Sequence, residues 1–254
     1  MNRQAQAVIL LLFGGAVVRA GVTDLHLRYV KAGLQPFLVA AGLALVAAAV
    51  MTLWYELRPL LPRRVSTPAR SATVVSADEP APAGHGHTHH EPRVGWLLLL
   101  PVLGLLLVAP PPLGSYSVSR AGTTISADGL SDYPTLPPGD PVRITVLDYA
   151  SRALFEAGES IGDRRVQLTG FVVTGPDGQP ILARMVLSCC AADGRPVKLG
   201  LTGQVPAGLP DDTWVEVVGR YTDRIGRDPV NDAEIPFVDV ETWREVPAPK
   251  QPYE

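Results

Sequence analysis

The sequence predicts three N-terminal transmembrane helices followed by a mainly-β domain, which we expect to be an OB-like small barrel with one helix. Two long apolar runs in the first half carry no charge and have the length that a helix needs to cross a bilayer. In the second half, short runs rich in β-branched and aromatic residues alternate with Pro, Gly and Asp turns, a pattern typical of a small barrel or sandwich. The predicted segments are transmembrane helices 1 and 2 at 1–55, a linker rich in Pro, Ala and His at 56–93, transmembrane helix 3 at 94–114, a tether at 115–140 and the soluble β-domain at 141–254.

The net charge differs between the two halves of the chain. Residues 1–114 contain nine Arg or Lys and five acids, a net charge of +4, whereas residues 115–254 contain 13 and 20, a net charge of −7. An acidic domain is a poor match for nucleic acid, whose phosphates bind cationic surfaces. Both cysteines of the chain lie in the second half. Two cysteines are too few for a disulfide-stapled scaffold, so we expect the β-domain to be held mainly by its core.

The three apolar segments differ in how well they fit a transmembrane helix. Residues 34–55 end in a Trp-Tyr pair, which suits the headgroup interface. Residues 94–113 contain a proline that predicts a kink, and they end in a run of three prolines that stops the helix. Residues 5–18 are shorter and are followed by Arg19, so a cleaved signal peptide is the alternative for this segment.

The distribution of Arg and Lys beside these segments predicts the orientation in the membrane. With the N-terminus inside, six Arg flank the cytoplasmic ends of the segments and four Arg or Lys flank the outer ends. Cytoplasmic loops carry the excess of basic residues. We therefore expect a multi-pass protein of the cell membrane, with the 56–93 loop in the cytoplasm and the C-terminal domain extracytoplasmic.

The 56–93 loop contains a His-rich tract. Six prolines with many Ala and Ser indicate a linker that cannot bury enough apolar surface to fold alone. Imidazoles on such a chain can bind zinc or another divalent metal, with Glu91 as an oxygen ligand. The alternative is a solvated linker whose His residues bind metal only opportunistically. The candidate metal ligands are His85, His87, His89 and His90.

The elements of the β-domain follow from local signals. Thr145 with Asp148 three residues later predicts a helix start, and Gly158 predicts its end. An OB barrel usually carries its helix between the third and fourth strands, whereas here the helix comes first. Turn residues separate five predicted strands, which are 165–174, 181–190, 196–202, 214–221 and 235–243.

The second predicted strand ends in two adjacent cysteines. Its alternation places Ala183, Met185 and Cys189 on the face toward the core, so Cys190 is expected to be the more exposed thiol. The Asp193-Gly194 pair that follows predicts a hairpin turn. The candidate functional motif at this strand end consists of Arg184, Cys189, Cys190 and Asp193.

Three interpretations of Cys189-Cys190 remain open from the residues alone. A buried Cys behaves as a small hydrophobe. Adjacent cysteines can form a strained disulfide ring that is easily reduced. Two thiolates can also contact a soft metal, but carboxylates would have to complete that site, because the second half contains no His.

The residues predict that the protein is not an enzyme and has no catalytic residues. A nucleophilic Cys needs a base beside it, and no His is present in the second half. A membrane-bound thiol oxidoreductase would carry a Cys-x-x-Cys motif, which this chain lacks. The sequence also contains neither a phosphate-binding loop nor a Ser/His/Asp set.

Several short motifs together resemble one family. They are the three apolar segments, Tyr29-Val30 before the second, APPPLGS at 109–115, GFV at 170–172 and, most specifically, ARMVLSCCAAD at 183–193. Over nearly the whole chain the sequence resembles the small-subunit family of two-component membrane permease complexes, the YcgQ-like proteins. The resemblance implies a polytopic permease as partner, the lipid bilayer as environment and a transport role with metal ions as the suspected substrate class.

The sequence therefore predicts an integral-membrane accessory subunit of a two-component permease complex. The alternative, from a different class, is a membrane-tethered metal-binding or thiol-redox carrier domain that uses Cys189-Cys190.

Overall fold

The structure is a computed structural model that describes residues 3–57, 104, 111–125 and 133–254. Almost all of the third predicted transmembrane helix and the whole His-rich tract, His85, His87, His89 and His90, lie outside the described residues. The chain divides into two compact units. Of the described residues, the first unit contains 3–19, 38–57 and 104, and the second contains 20–37, 111–125 and 133–254.

The first unit consists of parts of two apolar helices, α1 (Arg3–Val22) and α2 (Gln35–Leu57). Among the described residues, one helical stretch, Ala32–Glu56, is long and apolar enough to cross a membrane. The apolar part of α1 is shorter. Small residues let the helices approach closely, since a Cβ on Gly14 would lie 3.0 Å from the carbonyl oxygen of Gly42. The number of membrane crossings stays a prediction.

The second unit contains a closed five-stranded barrel with one helix, as predicted. Its five strands follow the order β2-β3-β4-β6-β5, and β5 pairs back onto β2 to close the barrel. The pairing of β4 with β6 is parallel, and the other barrel pairings are antiparallel. A two-residue strand, β1, pairs in parallel with β2. The strands are β1 (Val142–Arg143), β2 (Val166–Thr174), β3 (Pro180–Val186), β4 (Arg195–Gly203), β5 (Trp214–Arg227) and β6 (Glu234–Glu245).

The helix precedes the barrel strands. Two short helices lie in this unit, α3 (Ser115–Arg120) and α4 (Val146–Phe155), and α4 is the predicted one. The Thr145 hydroxyl accepts the backbone N–H of Asp148 at 2.9 Å, which confirms the predicted cap. Tyr149 of α4 is fully buried in the barrel core, and its hydroxyl donates to the carbonyl of Phe237 at 2.6 Å.

The face of β3 that was predicted to be buried is buried, but so is the opposite face, which carries Leu182 and Arg184. Leu182 lies in the barrel core. Ala183 and Met185 lie in a second apolar cluster, with Phe171 and Val118. Val118 belongs to α3, so part of the segment predicted as a tether is folded onto the barrel.

Candidate functional site: the Cys189-Cys190 turn

The turn between β3 and β4 is organised around one carboxylate. β3 ends at Val186, four residues before the predicted end. The Asp193 carboxylate accepts backbone N–H groups from Ser188 at 2.8 Å, Cys189 at 2.8 Å and Cys190 at 3.1 Å. These bonds hold a 3-10 helix, Ala191–Asp193, within the predicted hairpin connection between the antiparallel strands β3 and β4.

Both thiols of the turn contact Asp193. The Cys189 thiol donates to the Asp193 carboxylate, with Sγ and Oδ2 2.8 Å apart. The Cys190 sulfur accepts the backbone N–H of Asp193. Both cysteines are free; Cys189 is exposed and Cys190 is half-buried. The prediction that Cys190 is the more exposed thiol was therefore wrong, because the strand alternation stops at Val186.

The electrostatics of the turn favour a protonated thiol. The hydrogen bond to Asp193, with a further contribution from Cys190, raises the pKa of Cys189 to about 11. The same thiol and the backbone N–H groups hold the pKa of Asp193 well below its usual range. At neutral pH Cys189 is thus a thiol bonded to a carboxylate, and the thiolate is the reactive form. Cys189 is therefore a slow nucleophile.

The turn brings together three groups that could ligate a metal ion. The two sulfurs and a carboxylate oxygen of Asp193 lie within 4.8 Å of one another. A soft divalent cation, zinc included, could be held by this set after displacing the thiol protons. Because the second half of the chain contains no His, such a site needs a carboxylate ligand, and Asp193 supplies it.

The turn is hydrogen-bonded to the segment that joins α1 to α2. Val30 pairs with Cys190 in an antiparallel bridge. The backbone N–H of Lys31 donates to the carbonyl of Cys189 at 3.0 Å, and that of Ala191 donates to the carbonyl of Tyr29 at 2.7 Å. Sequence reasoning did not find this contact, which joins positions about 160 residues apart. In the sequence, the Tyr29-Val30 motif was the only feature that pointed to this contact.

Residues at the C-terminus form an isolated β-bridge beside β3. Tyr253 pairs in parallel with Met185, and the backbone N–H of Leu187 donates to the carbonyl of Glu254 at 3.0 Å. The Tyr253 hydroxyl donates to the carbonyl of Arg28 at 2.8 Å. The C-terminal residues therefore connect the segment between α1 and α2 to the end of β3.

Arg184 contacts other residues than the cysteines. Its guanidinium stacks on Trp214 at 4.6 Å from the ring centroid and donates to the carbonyl of Gln251 at 2.9 Å. Its Nε lies 3.6 Å from the Glu254 carboxylate. None of its contacts with described residues involves the cysteines. The structure thus brings Cys189, Cys190 and Asp193 together and places Arg184 in a separate environment.

Comparison with known proteins identifies one part of the chain. Residues 150–254 match the DUF1980 C-terminal domain. This family is associated with permease-related membrane proteins. The matched DUF1980 region contains all five barrel strands, most of α4 and the cysteine turn. No curated protein and no solved structure matches the chain.

Proposed function

We propose that the protein is an integral-membrane accessory subunit of a two-component permease complex, with metal ions as the suspected cargo. Three features support this. They are the resemblance of the 183–193 motif to YcgQ-like small subunits, the DUF1980 C-terminal domain and the apolar helix α2. In this proposal the barrel is a non-catalytic domain that sits over the membrane partner. It binds no nucleic acid.

The contact between the cysteine turn and residues 29–31 carries the proposal. A carrier that moves cargo between partners needs a domain on a flexible tether. Here the segment between α1 and α2 is hydrogen-bonded to the barrel at Cys189 and Ala191, and residues 20–37 belong to the same unit as the barrel. A domain bonded to the segment that connects its apolar helices suits a subunit that sits over a membrane partner.

The same contact supports the predicted topology. If α1 crosses the membrane from the cytoplasm, residues 23–34 emerge outside. The barrel pairs with these residues, so it lies on that side too. The chain then returns through α2, passes the 56–93 loop in the cytoplasm and crosses a third time. This gives three transmembrane helices and an extracytoplasmic C-terminal domain.

Co-purification tests the subunit proposal. Epitope-tagged full-length chain is solubilised from native membranes in mild detergent and captured. We expect a polytopic permease to be captured in a fixed ratio, and an unrelated tagged membrane protein of similar abundance to capture none. If the chain is recovered without any polytopic partner under several mild detergents, the subunit proposal is wrong.

The second candidate function is a membrane-tethered metal-binding or thiol-redox carrier. The exposed Cys189 and the grouping of two free thiols with Asp193 favour it. Cobalt(II) added to the reduced full chain should then give an absorption band from thiolate ligands, and Cys190→Ser should abolish it. Absence of the band in the unmodified chain would remove this candidate.

The two candidate metal regions are separate in the proposed topology. The His-rich tract and the cysteine turn lie on opposite sides of a hydrocarbon core roughly 30 Å thick. Metal–ligand bonds are only about 2.0–2.3 Å long, so one ion cannot bind both. Deleting residues 84–90 and changing Cys190→Ser should therefore have additive effects on zinc binding. Strongly non-additive effects would contradict the topology.

A further inference from the structure

A cavity of about 580 Å³ lies beside the cysteine turn, within the second unit. It is bounded by the segment between α1 and α2, by the end of β1, by the outer face of β2 and by the C-terminal residues. Its volume falls in the range of roughly 300–1,000 Å³ that is typical of small-molecule sites. The charges on its walls indicate what it could hold.

The two acids that line the cavity already have partners. Glu216 forms an ion pair with Arg244 at 2.6 Å. The Glu254 carboxylate accepts the backbone N–H groups of Val146 and Leu147, both at 3.0 Å, at the N-terminus of α4. Neither carboxylate is therefore left free to attract a cation into the cavity.

The three cations that line the cavity are less completely paired. Arg184 is 8% exposed, and its Nε and Nη1 have no hydrogen-bond partner among the described residues. Its ion pair with Glu254, at 3.6 Å, is too long for a hydrogen bond. The Lys31 ammonium donates to the carbonyl of Leu187 at 3.3 Å. Arg143 is exposed at the rim and makes no ion pair within the described part of the chain.

We propose that this cavity binds the phosphate or carboxylate group of a small anionic ligand, held by Arg184, Lys31 and Arg143. Arg184 lines the cavity, and its carboxylate partner, Glu254, is 3.6 Å away. An oxyanion in the cavity would add a counter-charge that this long pair supplies only in part. The ligand is either a soluble oxyanion or the headgroup of an anionic lipid. The site is independent of the permease assignment. It lies next to the cysteine turn, because the backbone of Lys31 is bonded to Cys189.

Fluorescence of Trp214 offers a direct readout, because the Arg184 guanidinium stacks on this ring. The full chain is placed in phosphatidylcholine nanodiscs in a background where the other three tryptophans, Trp54, Trp96 and Trp243, are changed to Phe. Inorganic phosphate is titrated in one arm, and phosphatidylglycerol is added to the nanodiscs in the other. We expect a saturable change in emission in at least one arm.

Variants at the rim identify the site without disturbing the buried pair. Arg143→Gln and Lys31→Gln each remove one charge-assisted contact and should weaken the response by about tenfold or more. Arg195→Gln is the matched control, since Arg195 is also exposed on the barrel but does not line the cavity. It should leave the affinity unchanged.

The two arms distinguish the sources of the ligand. A response to phosphate assigns a soluble oxyanion, and a response to phosphatidylglycerol alone assigns a lipid headgroup. Both support the site if the rim variants lose the response and Arg195→Gln keeps it. Absence of a response in both arms, or an equal loss in Arg195→Gln, would overturn the proposal.

Discussion

Two buried cations on the barrel, Lys198 and Arg184, have contrasting surroundings. Lys198 lies 2.9 Å from the carboxylate of Asp228, and their side chains are 4% and 0% exposed. That carboxylate also accepts the backbone N–H of Thr123 at 2.6 Å. Arg184 is almost as deeply buried, but its carboxylate partner, Glu254, is 3.6 Å away.

This difference separates a structural charge from a candidate ligand-binding charge. A buried ion pair is tolerated where short hydrogen bonds satisfy both partners. The Lys198 pair meets this condition and holds the segment around Thr123 against the barrel. Arg184 does not meet it, since two of its nitrogens have no hydrogen-bond partner among the described residues. The cavity that Arg184 lines leaves room for a further counter-charge beside its guanidinium.

The largest expected effect comes from breaking the satisfied pair. Lys198→Met leaves the fully buried Asp228 without its cation, and removing one partner of such a pair costs about 3–5 kcal/mol. Denaturant unfolding of the full chain in detergent, followed by Trp214 fluorescence, should show this loss of unfolding free energy. A loss below about 1 kcal/mol would mean that the pair is not structural.

A smaller effect, on the reactivity of Cys189, is expected from changing Asp193, the hydrogen-bonded carboxylate of the cysteine turn. Asp193 holds the Cys189 proton, so Asp193→Asn should lower the pKa of Cys189 from about 11 toward its ordinary value. In a Cys190→Ser background, alkylation by iodoacetamide at pH 8 should become about tenfold faster, because the thiolate fraction rises. An unchanged rate would show that the hydrogen bond between Cys189 and Asp193 is absent in solution.

The smallest effect is on the pH dependence of the unfolding free energy. It comes from Glu254, whose pKa is raised chiefly by burial. Because the folded state then binds the proton more tightly than the unfolded state, protonation stabilises the fold. This contribution appears as the pH falls through the raised pKa and is complete below the ordinary value. The unfolding free energy of the unmodified chain, relative to Glu254→Gln, should therefore rise as the pH is lowered through that interval. A fall over the same interval would contradict the burial of this carboxylate.

Local patterns were sufficient to predict the barrel strands and the capped helix. Thr145 and Asp148 lie three residues apart, and the strand alternation and turn residues are equally local. The end of β3 could not be predicted in this way. Leu187 continues the apolar pattern, but it pairs with Glu254, which belongs to the far end of the chain. The predicted strand was therefore too long, and the exposures of the two cysteines were reversed.

The site residues, too, depend on contacts between distant parts of the chain that local patterns do not predict. The sequence motif groups Arg184 with Cys189 and Cys190 because they are close in the chain. Only the fold shows that Arg184 contacts Trp214 and Gln251 instead. The cavity was not predicted at all, because its lining comes from segments more than 200 residues apart.

In this proposal the buried Arg184 serves ligand binding and not stability. The double variant Arg184→Met with Glu254→Gln removes both charges of the pair while keeping side chains of similar size. Replacing a poorly satisfied buried pair by uncharged groups is often neutral or stabilising. Unfolding and anion titration of this variant, using whichever of phosphate and phosphatidylglycerol binds the unmodified chain, test the claim together. We expect an unfolding free energy within about 1 kcal/mol of the unmodified chain, and an affinity for the anion weakened by at least about tenfold. A loss of about 3 kcal/mol or more with unchanged affinity would contradict it.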